Sequence, residues 1–108
     1  MAKFVFIFRG GAPKDEEREQ NMKDWKDWID ELYKKGVYES GLPFGMTRKV
    51  VAADNTVTDL SSDNSGYSLI KAETMEEALE IAKTGPNGKY GGTTEVYDTW
   101  EMGEMPGM

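Results

Sequence analysis

Cysteine and histidine are both absent from this chain of 108 residues, and the two absences remove whole classes of chemistry. Without cysteine there are no disulfides and no thiol nucleophile. Without histidine there is no imidazole base, no Ser-His-Asp triad and, with cysteine also missing, no zinc finger. Long apolar runs are missing too: no window approaches the roughly eighteen residues of a membrane helix. The apolar stretch Phe4–Phe8 stops at Arg9, too short for the core of a secretory signal. Positive charge is scarce, with 13 basic against 20 acidic residues and a net charge of −7, the wrong sign for a nucleic-acid backbone or an anionic membrane. These deficits predict a cytoplasmic protein with neither nucleic acid nor membrane as partner.

What remains is the composition of a globular domain. Hydrophobic residues make up 38% and aromatic residues 11%, with only four prolines, enough apolar surface for one core and too short a chain for two. A single domain over residues 1–101 is expected, followed by a flexible tail, 102–108.

Phe4, Val5, Phe6, Ile7 and Phe8 are adjacent, aromatic or β-branched, and followed by Gly10 and Gly11, which reads as a strand apolar on both faces. Met22, Trp25, Ile29 and Leu32 then recur at helical spacing, with Asp15, Glu16 and Glu17 before them and Lys34, Lys35 and Gly36 after. Negative charge at the start and glycine at the end predict a helix from Asp15 to Lys35. Gly41, Pro43 and Gly45 read as an irregular connection, Met46–Ala53 as a strand, and Asp54-Asn55 as a turn into an extended piece, Thr56–Asp59. Ser61–Gly66 reads as a polar loop and Tyr67–Ala72 as a further strand. Thr74 and Glu77 form a capping box, and Met75, Ala78, Leu79 and Ala82 draw a second helical stripe ending at Gly85 and Pro86. Asn87-Gly88 turns the chain toward a last strand, Thr93–Trp100.

The order strand, helix, strand, strand, helix, strand predicts an α+β fold: a ferredoxin-like βαββαβ sandwich with both helices on one side of an antiparallel sheet. One sheet face is then bare, and an apolar first strand makes that face larger than soluble monomers usually expose. A second copy of the chain is the natural cover, giving a homodimeric α+β barrel.

Several segments resemble a family as well as a fold: Gly66–Ala72 (GYSLIKA), Thr74–Ala82 (TMEEALEIA), Pro86, and Gly91–Val96 with its Gly-Gly-x-x-Glu-Val. With Trp25, Leu32, Gly36 and Val57-Thr58-Asp59, they are similar to the YCII-related proteins, in particular the DGPF branch. That resemblance implies a small dimeric protein with a cleft near the subunit interface and, in some members, a His and an Asp proposed as a catalytic dyad. The matching positions here hold Trp25 and Gly85, so neither dyad residue is kept. Of the Asp-Gly-Pro-Phe signature only Asp59 remains, followed by Leu60, Ser61 and Ser62.

The resulting expectation is a homodimer that binds a small organic molecule in a cleft touched by Trp25, Asp59, Arg48 and Tyr97, with no cofactor and no metal. Trp25 supplies a flat apolar face, while Trp28, on the same stripe, reads as core. Asp59 is an acid or base if buried, and otherwise a turn cap. Arg48 and Arg9 are carboxylate clamps or surface ion pairs. Tyr97 and Tyr67 are hydroxyl donors for a substrate oxygen. The alternatives are a cofactor-free enzyme such as a small oxygenase, argued from the fold, and an accessory protein linked to transcription, since some DGPF-type proteins are associated with sigma factors.

Overall fold

Strand β1, Ala2–Arg9, divides the apolar run between two faces. Phe4, Phe6 and Phe8 are buried, whereas Val5 and Ile7 point the other way and are only half-covered. The computed structural model describes residues 1–104. The expected loose tail begins there with a short 3-10 turn, Met102–Glu104, and continues outside the described residues.

The first helix forms where its stripe predicts, with a tighter start. Asp15–Glu17 make a 3-10 turn, and α1 runs Arg18–Lys34. Gly36 at φ 73° then ends it, with Gly36 N donating to Tyr33 O at 3.0 Å and Val37 N to Leu32 O at 3.1 Å. This is a Schellman closure, which needs the left-handed residue that glycine supplies without strain. The second helix, α2, spans Met75–Lys83, and Thr74 Oγ1 accepts from Glu77 N at 3.1 Å.

The second strand of the main sheet is not the expected Met46–Ala53 segment. It is β2, Tyr38–Pro43, whose glycine and proline disguise it as a connection. Pro43 is tolerated because it is the last residue of an edge strand, where no ladder donor is needed. Gly41 is required because a Cβ there would fall 2.2 Å from the Tyr38 hydroxyl. Met46–Ala53 shrinks to β3, Lys49–Val51, which pairs only with β4, Val57–Asp59, in a two-stranded hairpin outside the main sheet. Asn55, at φ 71°, makes the turn between them.

β5 covers Asn64–Ala72 and so recruits residues expected to be loop, and β6 covers Thr93–Asp98, stopping short of Trp100. The sheet order is β2-β5-β1-β6, with all three pairings antiparallel. Trp28 and Leu32 of α1 and Ala78 of α2 pack with Phe4, Phe6, Phe8, Ile70 and Ala72 in one core, so both helices cover the same face. The chain is a ferredoxin-like α+β sandwich. On the uncovered face Val5 lies between Leu69 and Tyr97, Ile7 beside Tyr67, and Tyr67 beside Leu42. No helix among the described residues is long and apolar enough to cross a membrane.

Candidate functional site

β1 ends in two left-handed glycines, Gly10 at φ 65° and Gly11 at φ 73°. They steer the chain off the sheet before α1 begins, a course for which side-chain-bearing residues are strained. A gap remains between the first half of α1 and the adjoining ends of β1, β5 and β2, and it forms a cleft of about 430 Å³. The helix contributes Trp25, Ile29, Met22 and Asn21, and the sheet contributes Phe8, Ser68 and Gly41.

The walls are aromatic. Trp25 meets Phe8 edge to face at 4.8 Å between centroids and Trp28 at 5.7 Å. Trp28 itself is buried, and its indole N–H donates to Thr84 Oγ1 at 2.9 Å, so its only polar atom is spent on the C-cap of α2. Trp25 is half-buried and lines the cleft.

The polar groups of the cleft are neutral. Tyr38 OH and Ser68 Oγ lie 3.0 Å apart, both side chains buried. Burial pushes the Tyr38 phenol above the ordinary tyrosine range, an effect that the Ser68 hydrogen bond only partly offsets. The phenol therefore stays protonated at neutral pH. Asn87 is buried, and its amide nitrogen donates to Arg9 O at 3.3 Å and Thr93 O at 2.7 Å, tying the end of β1 to the start of β6. Asn21 Nδ2 is buried with no partner. Among the described residues, no Asp, Glu, Lys or Arg lines the cleft.

Of the residues singled out from sequence as ligand contacts, Trp25 and Tyr67 line this cleft. Arg48 staples the base of the β3–β4 hairpin, donating from Nε to Gly45 O at 2.9 Å and from Nη1 to Ser62 O at 2.7 Å. With Leu60 it lines an adjoining, more open depression, which shares Leu42, Pro43 and Tyr67 with the cleft. Asp59 is on the hairpin, exposed and paired with Lys49. Tyr97 lies on the uncovered sheet face and donates to Glu95 at 3.0 Å. Arg9 is engaged by Asp63 at 2.6 Å and Glu95 at 3.3 Å. The four expected ligand residues thus do not converge in one monomer. Gly85 lies against Trp28, whose ring a Cβ would approach to 3.4 Å, and the same ring meets Trp25.

Sequence reasoning missed Tyr38, Ser68 and Asn87. Ser68 carried a signal, a small polar residue in register with Ile70 and Ala72 on the buried face. Tyr38 was hidden by the misplaced second strand. Asn87 looked like an ordinary turn residue beside Gly88.

No protein-family model and no curated protein matches the chain; solved structures do. One is 5-chloro-2-hydroxyhydroquinone dehydrochlorinase from Burkholderia phenoliruptrix AC1100, in complex with 2,5-dihydroxybenzoquinone. It matches at TM-score 0.54 and 22% identity, over 91% of this chain and 93% of that one. Another is a provisionally assigned monooxygenase from Shewanella loihica PV-4, at TM-score 0.49 and 13% identity, over 94% and 97% of the two chains. The likeness to the dehydrochlorinase is one of fold, the ferredoxin-like α+β sandwich.

Proposed function

We propose that this chain is a YCII-related protein that binds a small, uncharged, ring-containing organic molecule in the cleft between α1 and the sheet, and works as a homodimer joined through its uncovered sheet face. The observation that carries the reading is the cleft itself. Its volume of about 430 Å³ falls within the range of small-molecule sites, and its aromatic walls with a few buried neutral polar groups are the usual composition of such sites. The solved dehydrochlorinase holds a single-ring ligand, which supports the reading by analogy of fold.

Binding is favoured over acid–base catalysis by the lining. It offers no carboxylate, amine or imidazole, and its buried phenol is held protonated. Any turnover there would rest on orienting a ligand that is already reactive.

The dimer is supported by the strip Leu42, Tyr67, Ile7, Leu69, Val5 and Tyr97, which crosses all four strands on the face away from the helices. Face-to-face packing of two such sheets removes this strip from water. Trp25 remains the proposed ligand contact within the cleft, and Arg48, Asp59 and Tyr97, which lie outside its lining, remain proposed contacts only for a ligand at the subunit interface.

Two measurements test the proposal. Sedimentation equilibrium at micromolar concentration is expected to give twice the chain mass for the wild type and a single-chain mass for Ile7→Lys; a monomeric wild type rejects the dimer. Fluorescence titration with neutral aromatic compounds is expected to quench tryptophan emission, and Trp25→Phe to remove most of the response. Failure of every such compound to bind at millimolar concentration rejects the ligand site.

A further inference from the structure

Asn87 is 3% exposed, yet only half of its carboxamide is used. Both protons of Nδ2 are committed, one to Arg9 O and one to Thr93 O. Since both partners are pure acceptors, the amide cannot turn over without setting Oδ1 against two carbonyl oxygens. Oδ1 is therefore fixed, and it lies over Gly11, where an added Cβ would fall 2.1 Å away. Gly11 and Asn87 both line the cleft. No N–H or O–H among the described residues donates to this oxygen, and it is not sealed from solvent as Asn21 Nδ2 is, so its acceptor capacity is open to a molecule in the cleft.

Among the described residues no cation lines the cleft; Lys14 follows the lining residue Pro13 and is exposed. The charged groups on the elements around Asn87 are turned toward one another: Arg9 to Asp63 and Glu95, and Lys89 with Tyr90 to Asp24 at 2.7 and 2.6 Å. The remaining cleft polar groups, Asn21 Nδ2 and the Tyr38–Ser68 pair, are neutral.

We propose that Asn87 Oδ1 is a ligand-binding acceptor that takes a hydrogen bond from the hydroxyl of an uncharged aromatic molecule, so that the cleft binds phenols in their protonated form and excludes the phenolates. The inference rests on the cleft being the ligand site. A carbonyl dipole locked in one orientation attracts O–H and repels O⁻, and the apolar walls deny the anion the solvation that it has in water. Gly11 contributes by lacking a side chain, which leaves the approach to Oδ1 open.

The full chain and two probes test this. 4-Nitrophenol ionises near neutrality and reports its own protonation through its visible absorbance. 4-Nitroanisole has the same ring without the proton. Binding is expected to raise the apparent pKa of 4-nitrophenol, so that adding protein bleaches the phenolate band. Affinity should fall tenfold for each pH unit above the probe's ionisation, and at acidic pH 4-nitroanisole should bind about tenfold more weakly than 4-nitrophenol. Asn87→Ala should bring 4-nitrophenol down to the affinity of 4-nitroanisole and leave the latter unchanged. If that variant does not fold for want of its clamp on β1 and β6, the direction of the probe's pKa shift on the wild type still decides. A downward shift, or equal affinity for the two probes, overturns the role of Asn87 while leaving the cleft as a ligand site. If neither probe binds, both readings fall together.

Discussion

The hydroxyl pair of Tyr38 and Ser68 gives a prediction whose sign pattern is unusual. Tyr38→Phe keeps the ring that packs against Trp28 at 6.4 Å and Tyr33 at 4.9 Å, and deletes only the oxygen 3.0 Å from Ser68 Oγ. Ser68 is 2% exposed, so its hydroxyl then has little water to turn to. The lost bond together with the stranded partner should destabilise the fold by about 1–2 kcal/mol. Ser68→Ala strands the tyrosine oxygen and should cost about the same. The double variant removes both polar atoms, so its total should be no larger than either single change, a coupling of about 1–2 kcal/mol. Urea unfolding followed by tryptophan fluorescence, extrapolated to water for all four proteins, measures the cycle. Additive single effects, or single variants as stable as the wild type, would show that solvent in the cleft satisfies these hydroxyls and that the cleft floor is wet.

Gly41→Ala is expected to lower both stability and ligand affinity, since its Cβ would fall 2.2 Å from the Tyr38 hydroxyl and 2.6 Å from Tyr67 O; thermal melts and the fluorescence titration read the two effects. Asp24 accepts from Lys89, Tyr90 and Gln20 at 2.7, 2.6 and 2.7 Å, and these bonds, that of Lys89 first, hold its carboxyl down at about 2. A folded pKa below the unfolded one stabilises above the unfolded value, about 4, and the benefit is lost as the pH falls from there toward 2. The stability gap between wild type and Asp24→Asn should therefore be open at neutral pH and close across that acid window in urea melts. Thr74→Ala removes the acceptor of Glu77 N at the start of α2 and should cost about 1 kcal/mol of unfolding free energy, with Thr74→Ser restoring most of it.

The fold was legible where local chemistry and burial agree. The Trp25–Leu32 stripe answers to helical spacing, and the glycine at 36 and the Thr74 cap each answer to one turn of chain; α1 and α2 follow them closely, although Met22 at the head of the stripe is exposed. The second strand was not legible, because its signals are tertiary. Gly41 is there to clear the Tyr38 hydroxyl, and Pro43 is permitted by the strand's place at the sheet edge; neither fact can be read before Tyr38 is known to meet Ser68. The site followed the same division. Trp25 was suggested by its flat apolar face and by its place in the family resemblance, helical spacing alone reading it as core, whereas Ser68 and Asn87 depend on partners 30 and 78 residues away. Arg48 and Asp59 had plausible chemistry, but the hairpin uses one as a backbone staple and the other as a surface ion pair.

The most direct test of the central claim is to map where a neutral aromatic compound touches the protein, using amide and indole NMR shifts during titration with 4-nitroanisole. Changes are expected at Gly11, Gly41, Ser68 and the Trp25 indole N–H, with Val5, Ile7 and Leu69 unmoved. Shifts confined to Val5, Ile7 and Leu69 on the uncovered face, or none at saturating compound, would contradict it.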